Sequence, residues 1–181
     1  MGGAEYDYEA WALAVPGVTR AWASGNEMGM GTVTVRFMMD DLRADNYGFP
    51  LPSDCDTVAA YINSVRPVTV KDVWVVAPLR QPIDFDIANL IPDTTAIRAG
   101  IQASIEAMLY NYATPGQTIY AAWKSAAIMN APGVQSFDLI NTADDVMPDP
   151  GHMGVLGDIF YSTVSVPPPA GTQAITHSSH G

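Results

Sequence analysis

Residues 8–41 read YEAWALAVPGVTRAWASGNEMGMGTVTVRFMMDD, and this stretch sets the organisation of the chain. It predicts a short helix that carries Trp11, a break at Pro16 and Gly17, a strand, a glycine-rich turn and a second strand over residues 32–38. Apolar and polar side chains alternate along the second strand, so its apolar side chains share one face. We expect Trp11 and that face, which consists of Val33, Val35 and Phe37, to form a core.

The next stretch predicts a second helix and a third strand. Ser53 begins the helix, and Pro67 ends it because proline cannot continue a helix. The helical spacing of the apolar residues places Tyr61 and Ile62 on the core-facing side. The run over residues 68–77 is rich in β-branched residues and predicts a strand in which Trp74 is buried. These elements complete a three-stranded sheet with two helices.

The second half of the chain carries another set of strands and helices. Two prolines bracket residues 78–82, which we predict to be an internal boundary. A strand over residues 83–87 follows, and a helix capped by Asp93 or Thr94 comes next, with an apolar residue at every fourth position. A further amphipathic helix lies beyond it. The predicted core side chains of this half are Ile97, Ile101, Ile105 and Trp123.

Residues 130–141, NAPGVQSFDLIN, repeat the order of the opening stretch. Each copy has a helix, then Pro-Gly-Val, then a strand, a loop and a second strand, here over residues 155–164. The matching order favours a degenerate duplication over chance likeness of a three-residue motif. The sequence therefore predicts an α+β fold of two small similar domains, residues 1–77 and 78–164, each a short antiparallel or mixed sheet with two packed helices. Residues 165–181 are predicted to be an extended C-terminal arm.

The charge of the chain narrows the classes of partner. Its 181 residues include 8 Lys or Arg and 19 Asp or Glu, which gives a formal net charge of −11. Binding to a phosphate backbone needs clustered positive charge, so no nucleic acid is expected as a partner. No apolar run reaches the ~18 residues that a membrane span requires, so no membrane partner is expected either. The low charged fraction, 15%, favours burial of neutral surface against other proteins.

The sequence predicts no catalytic residues, no cofactor and no metal site. The segment over residues 25–31 is rich in glycine but lacks the Lys-Ser/Thr that closes a phosphate-binding loop. The single Cys55 rules out an internal disulfide, and Asp40 and Asp41 are interpreted as the solvated end of a strand. The alternative function is a non-catalytic module that binds a small ligand or a host-surface glycan between the domains. Trp22, a possible interface residue, and the segment 25–31 would form that site.

A series of motifs resembles the baseplate J-like proteins of Mu-like and other contractile-tailed phages. The series includes GAEYDYEAW at residues 3–11, VPGVTRAW at 15–22, GMGTVTVRF at 29–37 and PGQTIY at 115–120. The resemblance extends to about Val164, and its specificity comes from the order of the motifs.

The resemblance implies a baseplate wedge component that links the tail hub to the outer baseplate and is not an enzyme. The implied partners are other phage baseplate wedge and hub proteins, within a hetero-oligomer. The implied location is the virion tail baseplate, after synthesis in the cytoplasm of the bacterial host. Members of the family usually have a substantial region before the Gly2-Gly3 start of this stretch, so the resemblance also implies that the chain is a C-terminal portion.

Overall fold

The computed structural model describes residues 3–69 and 72–165. The helices are α1 (Glu5–Leu13), α2 (Pro52–Val65), α3 (Thr95–Tyr112) and α4 (Ala121–Met129), with a short 3-10 helix (Ala44–Asn46) before α2. The strands are β1 (Arg20–Gly25), β2 (Thr32–Met38), β3 (Asp72–Val76), β4 (Leu79–Ile91), β5 (Ser136–Leu139) and β6 (His152–Ser162). Within the described ranges, no helix is long and apolar enough to cross a membrane. The predicted C-terminal arm lies outside the described residues, except for Ser165.

The first unit, α1 to β3, is a mixed three-stranded sheet with two helices on one face. The central strand β2 pairs with β1 in the antiparallel and with β3 in the parallel direction. All seven residues of β2 are buried, because the opposite face of the sheet is covered as well. The core beneath the helices consists of Tyr8 and Ala12 of α1, Val33, Val35 and Phe37 of β2, and Val58 and Ile62 of α2.

The second unit, β4 to β6, has the strand order β5-β4-β6. Its central strand β4 pairs with β5 in the antiparallel and with β6 in the parallel direction. Thr94 caps α3, since its hydroxyl accepts a hydrogen bond from the Ile97 N–H at 3.2 Å. The core between helices and sheet includes Ile83, Phe85 and Ile87 of β4, Ile101 and Ile105 of α3, and Ile128 of α4.

The two units are similar, and together they make an α+β fold. α1 and α4 are each nine residues long, and each is followed after two residues by Pro-Gly-Val and an antiparallel strand. Gly17 and Gly133 in these turns have φ angles of 93° and 89°, a region that glycine favours. The two strands predicted for the second copy do not pair with each other, because β4 lies between β5 and β6 in the sheet. The repeat is therefore a helix, a turn and one strand.

The connection between the units is shorter than predicted. Only Ala77 and Pro78 separate β3 from β4, and β4 continues through Pro82. A proline is tolerated there because β5 pairs only with the far half of β4, from Ile87 to Ile91, so Pro82 removes no hydrogen bond to β5. The strand predicted over residues 83–87 is longer in the structure, where β4 runs over residues 79–91. The strand predicted over residues 155–164 is shifted toward the N-terminus, where β6 runs over residues 152–162.

The start of α2 also differs from the prediction. Pro52 is the first residue of the helix, and the Asp54 carboxylate accepts a hydrogen bond from the Leu51 N–H at 2.8 Å. Arg43 holds the same carboxylate with two hydrogen bonds of 2.7 and 2.6 Å. The helix thus begins one residue before Ser53, because proline suits the first helical position.

The structure places the predicted core side chains at three levels of burial. Those at most 8% exposed are Val33, Val35, Phe37, Ile62, Ile101 and Ile105. Trp11, Ile97 and Trp123 are half-buried at the margins of the two cores. Tyr61 and Trp74 differ from the prediction, with 39% and 49% of their surface exposed.

Strand order and helix position explain the two exposed aromatic residues. β3 is an edge strand, and Trp74 alternates with Val73 and Val75, which pack toward α1 and α2. Its ring therefore lies on the other face of the sheet. In α2 the buried residues are Asp54, Val58 and Ile62, a single row at four-residue spacing, so Tyr61 falls beside the row and not on it.

Candidate functional site

A groove of about 570 Å³ lies where the two units meet. The first unit lines it with Met38, Asp40, Tyr47 and Phe49, and the second unit lines it with α3 and the strand β6. Arg20 and Arg80, one from each unit, also line the groove. Because both units contribute, the shape of the groove depends on the contacts that hold them together.

Arg20, at the start of β1, connects the first unit to α3. Its Nε and Nη2 donate to the two carboxylate oxygens of Asp40 at 2.9 and 2.8 Å, and Nη1 donates to the Tyr110 carbonyl at 3.3 Å. The guanidinium lies 4.5 Å from the ring centre of Tyr110 and 5.5 Å from that of Trp22. A bidentate pair fixes both distance and direction. Arg20 therefore aligns β1 with the C-terminal end of α3.

The Asp40 carboxylate is a structural group and not the solvated strand end that the sequence suggested. Burial acts to raise the pKa of the Asp40 carboxyl, but hydrogen bonds from Arg20 and Thr19 and the charge of Arg20 outweigh burial, so the pKa lies below its ordinary value. The Asp40 N–H in turn donates to Thr19 Oγ1 at 3.0 Å. The ion pair is thus maintained at neutral pH.

Arg80, in β4, makes the reciprocal contact with the first unit. Its Nη2 donates to the carbonyl and the side-chain oxygen of Asn46, both at 2.7 Å. The guanidinium lies 4.8 Å from the ring centres of both Tyr47 and Phe49. Arginine stacks readily on aromatic faces while its fork donates hydrogen bonds. The second unit is therefore attached to the first at a place separate from the Arg20 contact.

Apolar side chains of the first unit continue into the core of the second. Met38, 1% exposed, and Phe49, 5% exposed, belong to the same buried cluster as Phe85 and Ile105. Trp22 packs against the margin of that cluster. The two units thus share apolar contacts in addition to the two arginines, which favours one cooperative structure.

A substitution at Gly48 tests how closely the backbone around Gly48 is packed against Asp40. Gly48 has a φ of +80°, and a Cβ there would lie 2.7 Å from Asp40 Oδ1 and 3.0 Å from its Cα. We expect Gly48→Ala to lower the free energy of unfolding by about 2 kcal/mol, part from the left-handed conformation and part from the displaced Asp40.

Gly31→Ala is the matched control for that substitution. Gly31 has a φ of +82° and nothing within 4 Å of its hypothetical Cβ, so only the conformational cost of roughly 1 kcal/mol is expected. Urea denaturation of both variants measures the difference. Equal losses of stability would show that the contact with Asp40 is loose.

Lys124, in α4, is the buried cation of the second unit, with 1% of its surface exposed. Its ammonium donates to the carbonyls of Thr142 and Asp144, the latter at 2.6 Å. Burial lowers the pKa of Lys124, and the charges of Asp144 and Asp145 act in the opposite direction. Asp145 also accepts a hydrogen bond from the Ala121 N–H, at the start of α4, at 2.7 Å. The first part of the loop after β5, residues 142–145, is thereby held against the first turn of α4.

The structure does not bring together the two features of the proposed ligand site. Trp22 lines a smaller groove of about 300 Å³ with Arg20 and Tyr110, and no residue of the segment 25–31 lines that groove. Glu27 of that segment instead accepts two hydrogen bonds from the buried Arg36, at 2.7 and 2.5 Å. The segment therefore covers the face of the first sheet that is opposite the two helices.

Metal-binding groups are not clustered in the described part of the chain. There, no three His, Cys, Asp or Glu side chains are grouped so that they could hold a metal ion.

Comparison with protein families matches this pair of units closely. Residues 1–77 match the model of the baseplate J-like central domain, and residues 83–162 match that of the baseplate J-like protein C-terminal domain. The chain belongs to the baseplate J-like family. This baseplate J-like chain is covered by the two models over nearly its whole described length.

Three relatives extend the comparison. The protein JayE of Escherichia coli (strain K12) is 35% identical over 164 residues, 90% of this chain and 60% of the relative. The Mu-like prophage FluMu protein gp47 of Haemophilus influenzae is 36% identical over 168 residues, 87% of this chain and 46% of the relative. Baseplate protein gp47 of Escherichia phage Mu is 33% identical over 148 residues, 77% and 40% respectively. The baseplate J-like chain thus spans about half the length of the curated relatives it matches.

The residues that join the units are not evident from the sequence. Arg20, Asp40, Arg80 and Lys124 appear in the sequence as isolated charges, and their partners lie between 18 and 90 positions away. A usable indication was the scarcity of cations, because 8 Lys or Arg in 181 residues make each one a candidate for a specific contact. The pairing itself depends on the arrangement of the two sheets.

Proposed function

We propose that the chain is a non-catalytic structural component of a contractile phage tail baseplate wedge. It acts through contacts with other wedge and hub proteins, as one part of a hetero-oligomer in the virion tail. The observation that carries the proposal is the match of two consecutive baseplate J-like domains to this one chain, together with the relative from phage Mu, which is named a baseplate protein. In this proposal the chain is made in the cytoplasm of the bacterial host.

The use of charge within the chain supports a role in assembly. Four ion pairs in the described residues engage Arg20, Arg36, Arg43 and Arg98. Lys124 is buried, and Arg80 is held by Asn46. These six of the eight Lys and Arg residues thus make contacts within the chain, while 19 Asp and Glu residues give the molecule its negative net charge. Such a surface favours partners with basic patches, because complementary potentials speed and orient association.

Exposed aromatic side chains support the same role. The Trp123 ring stacks on Tyr112 with 4.9 Å between centroids and meets Tyr120 edge-on at 4.8 Å. Tyr112 is 52% and Tyr120 is 43% exposed, so the cluster is accessible. Tyrosine and tryptophan are enriched at protein interfaces because they offer large rigid contact areas. This cluster is therefore a surface for contact with a neighbouring protein.

Size-exclusion chromatography tests the proposal. The purified chain is mixed under native conditions with each neighbouring wedge protein of the same phage, and every protein is also run alone. We expect the chain to co-elute with at least one neighbour, ahead of either protein by itself. Elution of the chain at its own volume in every mixture would contradict the proposal.

A further inference from the structure

The second faces of the two sheets differ in burial. In the first unit, the face of β2 opposite the helices consists of side chains that are all buried, namely Thr32, Thr34, Arg36 and Met38. In the second unit, Asp84 and Asp86 alternate with the buried core residues of the central strand β4. Asp84 is exposed and Asp86 is half-buried. This part of the second sheet is therefore open to solvent on the side away from its helices.

The strands on both sides of β4 add side chains to this surface. Phe160 of β6 pairs with Asp86, and Asp138 of β5 pairs with Ala88, so each pair shares one face of the sheet. Phe160 is 55% exposed, whereas Ala88 is fully buried and marks the end of the open region along β4. Asp158 lies two residues before Phe160 and is also exposed. We call this surface the open face and define it by Asp84, Asp86, Asp138, Asp158 and Phe160.

Four of the five residues of the open face are carboxylates. The hydrogen bonds that they accept, at 2.8 to 2.9 Å, come from neutral N–H groups: the Asp158 main chain for Asp84, Asn141 for Asp86 and Asn89 for Asp138. Among the residues that the structure describes, none of the four carboxylates belongs to an ion pair. Like charges at neighbouring positions on one face of a sheet repel each other. Cations supplied from outside the chain would relieve that repulsion.

Arg80 is the one cation of β4, and it lies on the same side of the strand as Asp84. The two residues are four positions apart, which separates their Cα atoms by about 13 Å at the rise of a β-strand. The Arg80 guanidinium is held by Asn46 and lies on the rings of Tyr47 and Phe49, all in the first unit. Exposed charges separated by more than about 8 Å are largely screened at physiological ionic strength. Arg80 therefore leaves the carboxylates of the open face without a neutralising partner.

The carboxylates of the open face are distributed over three strands. Within the described residues, no three His, Cys, Asp or Glu side chains are grouped so that they could hold a metal ion. An exposed aromatic ring among separate charges is instead typical of a contact between proteins, where the ring supplies apolar area and the charges orient the partner. The open face therefore suits a partner with several separate cations.

We propose that the open face binds a partner protein whose contact surface places Lys or Arg side chains opposite the four carboxylates and an apolar side chain against Phe160. The inference rests on the proposed assembly function and names the place and the chemistry of one partner contact. The carboxylates attract and orient the basic partner, and burial of the Phe160 ring contributes affinity. A second sheet face that is covered within the first unit is thus covered by another protein in the second unit.

The probes are the neighbouring wedge proteins of the same phage that co-elute with the chain. Isothermal titration calorimetry measures the dissociation constant of each complex, with the unaltered chain and with the double variant Asp138→Lys, Asp158→Lys. We expect the double variant to weaken the binding of at least one neighbour by about tenfold or more. Hydroxyl-radical footprinting with mass spectrometry then measures the accessibility of Phe160. In that complex, the labelling of Phe160 should fall relative to the chain alone.

The matched control is the double variant Asp56→Lys, Asp149→Lys, which changes the net charge equally at exposed positions outside the open face. Circular dichroism confirms that both double variants are folded. Equal weakening by both double variants, or unchanged labelling of Phe160 in every complex, would overturn the inference.

Two further outcomes distinguish the occupants. If Phe160 in the chain alone is labelled as slowly as the fully buried Phe85, the chain itself or a second copy already covers the open face, and the inference is wrong. If neighbours co-elute with the chain and the Asp138→Lys, Asp158→Lys variant binds them all as tightly as the unaltered chain, this inference fails and the proposed function stands. Absence of any co-elution counts against the proposed function itself.

Discussion

Lys124→Met is expected to lower the free energy of unfolding by about 3–4 kcal/mol. Methionine fills a similar volume but cannot donate to the carbonyls of Thr142 and Asp144, so two buried acceptors lose a charged partner. The loop after β5 would then separate from α4. Urea denaturation monitored by circular dichroism measures the loss, because the midpoint falls with stability.

Ser125→Met is the control for this substitution. Ser125 is the next residue of α4 and is exposed, so the same new side chain should change stability by no more than about 0.5 kcal/mol. A Lys124→Met protein as stable as the unaltered chain would show that the ammonium contributes nothing beyond its own cost of burial. Such a result is known for some buried charges that well-packed apolar residues replace.

Arg20→Met is expected to destabilise the protein by about 2–4 kcal/mol and to loosen the junction of the units. The substitution leaves the half-buried Asp40 carboxylate without its cation, and it removes the hydrogen bond to the Tyr110 carbonyl. Denaturation measures the stability, and limited proteolysis measures the loosening. Arg98→Met is the control: its pair with Asp93 is 45% and 43% exposed, so a loss of about 0–1 kcal/mol is expected. Equal losses would contradict a special role for Arg20.

The pH dependence of the Arg20 effect has a definite sign. The pKa of the Asp40 carboxyl is lowered in the folded protein from an ordinary value of 3.8, so its stabilising contribution is present above that value and is lost as the pH falls through the folded pKa. The difference in stability between the unaltered chain and Arg20→Met should therefore shrink on acidification below about pH 4. A difference that stays constant down to the acid limit of folding would contradict the assignment.

Local pattern was sufficient for several elements of the fold. The strand over residues 32–38 was predicted at its observed bounds, because strict alternation and flanking glycines mark it. The four-residue row of α3 gave Ile101 and Ile105, which are fully buried. In both cases the apolar residues recur at the period of the element, so they share one face, and that face packs into the core.

The remaining features depend on which elements become neighbours. Trp74 is exposed because β3 lies at an edge, and nothing in the run over residues 72–76 reveals strand order. β5 and β6 follow each other in the sequence, which favours neighbouring strands, yet β4 lies between them. The contacts of Arg20, Arg80 and Lys124 likewise require both sheets to be in place. Long-range pairing of this kind has no local pattern from which it could be predicted.

The reciprocal placement of Arg20 and Arg80 has a mechanical consequence. A single point of attachment would act as a pivot, about which one unit could turn relative to the other. Two separated attachments with the apolar contact of Met38 and Phe49 between them resist both twisting and bending. Under the proposed function, a load applied to one sheet during tail contraction would pass to the other with little loss in the joint. The two units would then behave as one rigid body.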